Sequence, residues 1–436
     1  MLIFKTLQIS TNKYNISSSN SSAQKYTYKF GETKKNIYFY KLEKQHNTSP
    51  VSMRVHNTMS RLYLFNPDHD LALANGSKTY EAPASARQFA SDLACLPLWY
   101  ADAGDKVATP AAFRAWKLHL ETQFPRLATI SFVESDAVAD LVPWGWNQTL
   151  GRYSDSISET FIDHVREHSH RRWSARAMDF LRNKLSFPVP DSAVELFSRT
   201  EVDGFLQTHT DVVLKAPISG SGRGVWRCFG SLSQSAEGWC KRTLCKQGSV
   251  MGEPLYPKVQ DFAMEFLLKN GKASFAGYSV FETEAMGVYS ANILAADGEL
   301  ERRLSEYIPL TYLHDIRDAL SLFFEREYSF YEGYLGVDML IYNENGHYLV
   351  NPMIEINLRM TMGMAARRFF DTFVCESSTG IFRIDHFDTA DEWQAHCHTM
   401  QQRAPLKIIG HRIQSGYITL CPITPHTKYG VSVLIE

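Results

Sequence analysis

Apolar residues are distributed unevenly along the 436 positions of the chain. Over 1–58 neither strand-like alternation nor a helical period of about 3.6 is sustained. That stretch is rich in Asn, Ser, Lys and Tyr. It is expected to be a disordered leader or an upstream extension, with Met53 or Met59 as the working start; a short tethering arm is the alternative. A basic region followed by an apolar one is missing, so it does not read as a signal peptide. From Met59 onward the pattern sharpens. Leu62–Phe65 is a short apolar run followed by the loop-forming NPDHDLALANG. A helix is expected over Ala84–Cys95, a strand over Lys106–Ala108, a helix after the Thr109–Pro110 start signal and a strand over Thr129–Val133. Strand and helix alternating in this way predict a small doubly wound α/β domain with a parallel sheet over 59–150.

Beyond a connection at 142–156, Trp173, Ala177, Phe180 and Leu181 share one helical face, and FPVPDS ends that helix. The pattern then turns mostly to strands: Val212–Lys215, Gly224–Phe229, Ser249–Leu255, Phe262–Leu268 and Ala273–Phe281. A helix is expected near Leu313–Glu327. Two strands, Leu335–Tyr342 and Tyr348–Ile356, flank the turn sequence NENGH. The tail carries a helix at Asp391–Gln401 and strands at Gly416–Leu420 and Val431–Ile435. The domain reading is 59–150, 151–380 and a C-terminal segment, 381–436, packing on the second domain.

Composition adds exclusions. The net charge of −2 provides no field directed at nucleic acid or an anionic membrane. No apolar run reaches the ~18 residues of a membrane span. The seven cysteines are scattered, with no CxxC pair, and His396-Cys397-His398 is too compact for a zinc site. They read as reduced thiols of a cytoplasmic protein.

Two clusters carry chemistry. In VVLKAPISGSGRGV, Lys215 ends an apolar run and Gly220, Gly222 and Gly224 follow it. A phosphate-binding P-loop places its lysine after the glycines. A dinucleotide fingerprint opens a helix, whereas VWRCFG reads as a strand. A protein kinase needs HRD and DFG tripeptides, which are missing. What remains is strand, lysine, glycine loop, strand. Backbone amides of such a loop approach phosphate closely while the lysine adds a point charge. A plain glycine-rich hairpin is the alternative. The second cluster joins Asp338 in GVDMLIY to Glu355, Asn357 and Arg359 in IEINLRMTMG. Alternation places Glu355, Asn357 and Arg359 on one face. Two carboxylates and an amide oxygen suit Mg²⁺ (or Mn²⁺), which also takes phosphate oxygens.

These motifs, with GSVMGEPLYPKVQDFAMEF between them, resemble the ATP-grasp superfamily over about residues 171–366. The resemblance implies ATP held between two α+β subdomains, preceded by a small α/β domain. It implies Lys215 on the phosphates, Ser219, Gly220, Ser221, Gly222 and Gly224 over them, Glu253 at the adenine hinge and the Leu255 backbone reading the adenine edge. Asp261 would take the ribose hydroxyls, with Glu265 the weaker rival. Asp338, Glu355 and Asn357 would hold the metal, and Arg359 would neutralise the transferring phosphate. Arg171 or Arg172, with Arg172 preferred, would supply the second basic contact where a lysine is commoner.

The activity so implied is an ADP-forming carboxylate–amine ligase on small-molecule or peptide substrates; many such proteins are dimers, which leaves a homodimer open. A small-molecule kinase and a non-catalytic nucleotide-binding module are the rivals. His69 in NPDHD, together with Tyr289 and Asn292 in the segment 282–297, are candidates for substrate contact, although a capping turn and a hairpin connection explain those segments nearly as well.

Overall fold

The computed structural model describes residues 23–30, 33–40, 60–134, 140–154, 157–220, 224–283 and 289–436. The chain divides into two compact units, Met1–Thr58 and Met59–Glu436. In the first, β1 (Ala23–Phe30) pairs antiparallel with β2 (Thr33–Tyr40). This hairpin lies within the stretch expected to be a disordered leader. Tyr26, Tyr28 and Phe30 alternate with polar residues, a short strand-forming pattern.

The second unit opens with β3 (Arg61–Leu64), β4 (Lys106–Ala108), β5 (Ser131–Val133) and β6 (Asp140–Pro143). They form a parallel sheet in the order β5-β4-β3-β6. Strand β6 occupies residues that the sequence pattern assigns partly to a connection. It covers the free edge of β3 with Leu141 and Val142, and its proline sits at the strand end, where a missing amide is tolerated.

Next come β7 (Val194–Leu196), β8 (Asp211–Lys215), β9 (Val225–Phe229) and β10 (Val250–Pro254). Their order is β7-β10-β8-β9, all antiparallel. Helices Arg199–Thr208 and Gln234–Gln247 start where the side chains of Ser198 and Ser233 accept hydrogen bonds from the amides of Glu201 and Ala236. Val202, Phe205 and Cys240 from these helices pack with Val212, Leu214 and Val250 into a small separate core.

The remaining strands are β11 (Lys258–Lys269), β12 (Lys272–Thr283), β13 (Tyr289–Leu294), β14 (Gly333–Glu344), β15 (His347–Asn357), β16 (Gly380–His386), β17 (Lys407–Ile409), β18 (Arg412–Thr419) and β19 (Tyr429–Ile435). They form a nine-stranded sheet in the order β15-β14-β11-β12-β13-β16-β19-β18-β17. One face is apolar: Phe262, Met264 and Phe266 meet Trp173, Met178 and Leu181 of helix Arg172–Arg182 and Leu313, Leu320 and Phe324 of helix Leu310–Glu327. Alternation therefore turns Asp261, Ala263 and Glu265 to the opposite face. The C-terminal strands extend this sheet from β13 outward.

A further core joins the parallel sheet to the C-terminal strands and to helix Met362–Phe373. Trp99 packs edge-on against Phe369 and Phe373, at centroid distances of 5.4 and 5.1 Å. Its indole donates to the Leu420 carbonyl at 2.7 Å. All seven cysteines are free. Among the described residues no helix is long and apolar enough to cross a membrane.

Candidate active site

The glycine loop joins β8 to β9, and Lys215 is the last residue of β8, paired in register with Val225. The amide of Ala216 donates to the Gly224 carbonyl at 2.8 Å, which closes the neck of the loop. Lys215 is buried, and its Nζ lies 2.5 Å from Glu253 Oε1 on β10. Both line a narrow cleft, with Arg171, Met178, Met251, Tyr256 and Met353. Its lining combines the charged Lys215, Glu253 and Arg171 with Met178, Met251, Met353 and Tyr256.

The second basic group at this cleft is Arg171, not Arg172. Arg171 is buried, and one of its guanidinium nitrogens donates to both carboxylate oxygens of Glu355 at 2.7 Å. The other donates to the Ala216 carbonyl and, at 2.9 Å, to Ser219 Oγ. Arg172 points elsewhere, to Glu195 at 2.9 Å, and keeps a third of its side chain exposed. The difference arises at the helix start: Arg171 precedes the first turn of Arg172–Arg182, and its amide donates to the Pro217 carbonyl at 2.9 Å.

The strand pair β14–β15 brings the acidic groups together. Asp338 and Glu355 are direct cross-strand partners, and Asn357 faces Gly336. Asn357 Nδ2 donates to Asp338 Oδ2 at 3.0 Å, leaving the amide oxygen free. Burial pushes the Asp338 carboxyl up to about 7, and the Glu355 charge adds to the rise. Two close carboxylates held without a cation are costly, so the set fits a hard divalent ion. Among the described residues no three His, Cys, Asp or Glu side chains group as a metal site. A cation at Asp338, Glu355 and Asn357 would complete its shell from substrate.

Arg359 lies just beyond β15. Its Nε donates to Asp70 Oδ2 at 3.1 Å. Burial works against charge on both groups, but each is held ionised: Arg359 by Asp70, Glu355 and Asp338, Asp70 by His69 and Arg359, which keep its carboxyl well below the usual range. His69, buried, meets Asp70 through Nε2 at 2.8 Å, while its Nδ1 has no partner. The imidazole packs on Gly145, where a Cβ would collide with the ring, and a Cβ at Gly220 would come within 2.8 Å of Asp70 Oδ2. The NPDHD loop thus touches the glycine loop and Arg359 together.

Several residues expected at the site are held by other partners or fall in other elements. The Leu255 amide donates to the Asp211 carbonyl at 2.9 Å, so it is not free to read an adenine edge. Asp261 is engaged by Lys258 at 2.5 Å and by the Thr283 hydroxyl at 2.7 Å. Glu265 is only 1% exposed, and its Oε1 accepts from Thr361 Oγ1 at 2.8 Å. Burial pushes its carboxyl up to about 8. It is a buried neighbour of Asp338 rather than a rival to Asp261. Tyr289 and Asn292 fall on β13, a strand where the sequence suggests a loop, and Ser221 and Gly222 lie outside the described residues. The residues that sequence reasoning missed are Thr361 and Ser279. Thr361 carries a signal: it precedes MGMAARRFF and caps that helix through the Met364 amide.

No protein-family model matches the chain, and no curated protein does. Solved structures similar to it include biotin carboxylase from Campylobacter jejuni with β,γ-ATP, at 11% identity over 87% of each chain with a TM-score of 0.46. N5-carboxyaminoimidazole synthetase from Staphylococcus aureus complexed with ADP is 11% identical over 86% of this chain and 93% of that one, with a TM-score of 0.44. The biotin carboxylase domain of Hydrogenobacter thermophilus 2-oxoglutarate carboxylase, with MgADP, ADP and bicarbonate, is 13% identical over 87% and 86%, with a TM-score of 0.48.

Proposed function

We propose that the protein is an ATP- and Mg²⁺-dependent, ADP-forming ligase that activates a carboxylate as an acyl phosphate and joins it to an amine. The observation that carries this reading is the convergence of Lys215–Glu253 and Arg171–Glu355 on one cleft, with Asp338 beside Glu355 and Arg359 beyond it. In this reading residues 59–150 are the preceding α/β domain, 151–380 the grasp domain and 381–436 the segment packed on it; the free cysteines fit a cytoplasmic enzyme.

The residues divide the work by charge. Lys215 and Arg171 receive the phosphates, Ser219–Gly224 covers them through backbone amides, and the methionine and tyrosine lining accepts the base. Asp338, Glu355 and Asn357 would hold Mg²⁺, which supplies charge neutralisation between two anions. Arg359, already ionised, balances charge as a carboxylate oxygen of the substrate bonds to the γ-phosphorus and ADP leaves. The amine nitrogen, free of its ammonium proton, then bonds to the acyl carbon and sheds a second proton to the medium, and phosphate departs with the former carboxylate oxygen. No nucleophilic side chain is required.

The test is ADP release over a library of carboxylates and amines, comparing wild type with Lys215→Ala, Glu355→Ala and Asn357→Ala. Each variant is expected to lose substrate-coupled hydrolysis while keeping its far-UV dichroism spectrum. Full turnover in all three would show the assignment to be wrong.

A further inference from the structure

Behind the proposed metal residues, Glu265, Ser279, Tyr289 and Asn292 gather polar atoms on three adjacent strands, β11, β12 and β13. Glu265 stands opposite Gly336 on one side and Gly277 on the other, so no neighbouring side chain crowds it within its row. A Cβ at Gly336 would lie 2.7 Å from Glu265 Oε2, and one at Gly363 would collide with both Glu265 Oε1 and Ser279 Oγ. Asn292 Nδ2 donates to that same Ser279 Oγ at 2.5 Å.

Two of the donors here are spent. Thr361 gives its hydroxyl proton to Glu265, and Asn292 gives an amide proton to Ser279. Left buried without a partner are Glu265 Oε2, Asn292 Oδ1 and the Tyr289 hydroxyl. Asn292 Oδ1 accepts, Glu265 Oε2 accepts once the carboxyl is ionised, and the Tyr289 hydroxyl can accept as well as donate. Buried polar atoms are paired in folded proteins almost without exception, so three gathered on neighbouring strands point to a missing ligand. A ligand bringing several N–H donors would satisfy all three at once. Glu265, Asp338 and Glu355 lie on the same side of the sheet, and the cations that reach them, Arg359 and Arg171, are bonded to Asp70 and Glu355. An anionic ligand would meet carboxylates; a cationic one would supply the missing charge.

Resting on the ligase reading above, we propose that Glu265, Asn292 and Tyr289 form the subsite for the amine co-substrate, receiving its nitrogen as a primary ammonium group. Glu265 supplies the counter-charge, Asn292 Oδ1 and the Tyr289 hydroxyl accept the remaining N–H bonds, and Thr361 and Ser279 position the first two.

The experiment uses the full chain and follows its melting midpoint with ethylammonium chloride or tetramethylammonium chloride at equal ionic strength. The second ion has the charge but no N–H. A saturable rise with ethylammonium alone is expected, abolished in Glu265→Gln and weakened at least about threefold in apparent affinity in Tyr289→Phe, as for loss of one buried hydrogen bond. Equal rises with both ions, or an unchanged ethylammonium affinity in the variants, would overturn the proposal. Should Glu265→Gln fail to fold, Tyr289→Phe decides alone. Calorimetry of wild type with ATP and Mg²⁺ is run in parallel: absent nucleotide binding there sinks the ligase reading, whatever the ammonium result.

Discussion

Arg359 and Asp70, 289 residues apart in the chain, are joined by an Nε–Oδ2 hydrogen bond of 3.1 Å. Asp70 also holds His69, and the backbone of Gly220 passes beside it. One carboxylate therefore ties the first loop of the parallel sheet to the glycine loop and to the arginine beside the proposed metal residues. Asp70→Asn keeps the shape and removes the charge, leaving Arg359 under-compensated. ATP turnover is expected to fall by about tenfold or more, as when a group that orients a reacting side chain is lost. Chemical denaturation should show a loss of about 1–3 kcal/mol. Unchanged kcat would mean that Arg359 does not need this partner.

The two adjacent arginines at the start of helix Arg172–Arg182 should behave differently. Arg171 makes a two-oxygen contact with Glu355 from a buried position, whereas Arg172, a third exposed, pairs with Glu195. A lysine at 171 keeps the charge but not the fork, so Arg171→Lys is expected to lower ATP turnover at least about tenfold. Arg172→Ala should stay within about twofold, since neither Arg172 nor Glu195 lines the cleft. Steady-state kinetics on both variants separates them; the reverse order would return the phosphate contact to Arg172.

Glu265 predicts a pH dependence of stability with a definite sign. Its carboxyl titrates near 8 in the folded chain against an ordinary 4.5. Between those values the unfolded chain has released the proton and the folded chain retains it, so stability falls as pH rises through the window. Glu265→Gln cannot titrate and should lose less. Guanidinium unfolding at pH 5 and pH 8 is expected to show a wild-type loss exceeding that of the variant by on the order of 4 kcal/mol. Parallel pH profiles for the two proteins would show that Glu265 is ionised when folded.

How far the sequence reaches follows from what each residue needs. The strand Val212–Lys215, the glycine loop and the Asp338, Glu355, Asn357 set are legible because alternation within an apolar strand fixes which way a charge points. Arg171 over Arg172 is not, because the choice turns on where the helix begins, to within one residue. Helix Gln234–Gln247 leaves little trace, since only Ala236, Cys240 and Thr243 are buried along it, too narrow an apolar stripe to stand out. Strand β13 is equally faint: Tyr289–Leu294 mixes polar and apolar residues, and only its neighbours β12 and β16 make Asn292 an interior residue. The Asp70–Arg359 contact spans most of the chain and no local pattern could carry it.

Two glycines in the second position of a helix give opposite expectations for the same substitution. Gly298 opens helix Asp297–Leu304 with nothing within 4 Å of where an added methyl would stand, and its backbone is not left-handed. Gly298→Ala should therefore stabilise by about 0.5–1 kcal/mol through helix propensity and a less free unfolded chain. Gly363 opens helix Met362–Phe373, and a methyl there would collide with Ser279 Oγ and Glu265 Oε1. Both atoms belong to buried side chains held in place by hydrogen bonds, from Thr361 to Glu265 and from Asn292 to Ser279. Gly363→Ala should destabilise by about 1–3 kcal/mol, the usual range for overpacking a core. It should also abolish any response to ethylammonium, because the displaced carboxylate no longer meets Asn292 and Tyr289. Denaturation curves for the pair decide the matter: equal effects at both positions would mean that Glu265 is not held where its neighbours place it.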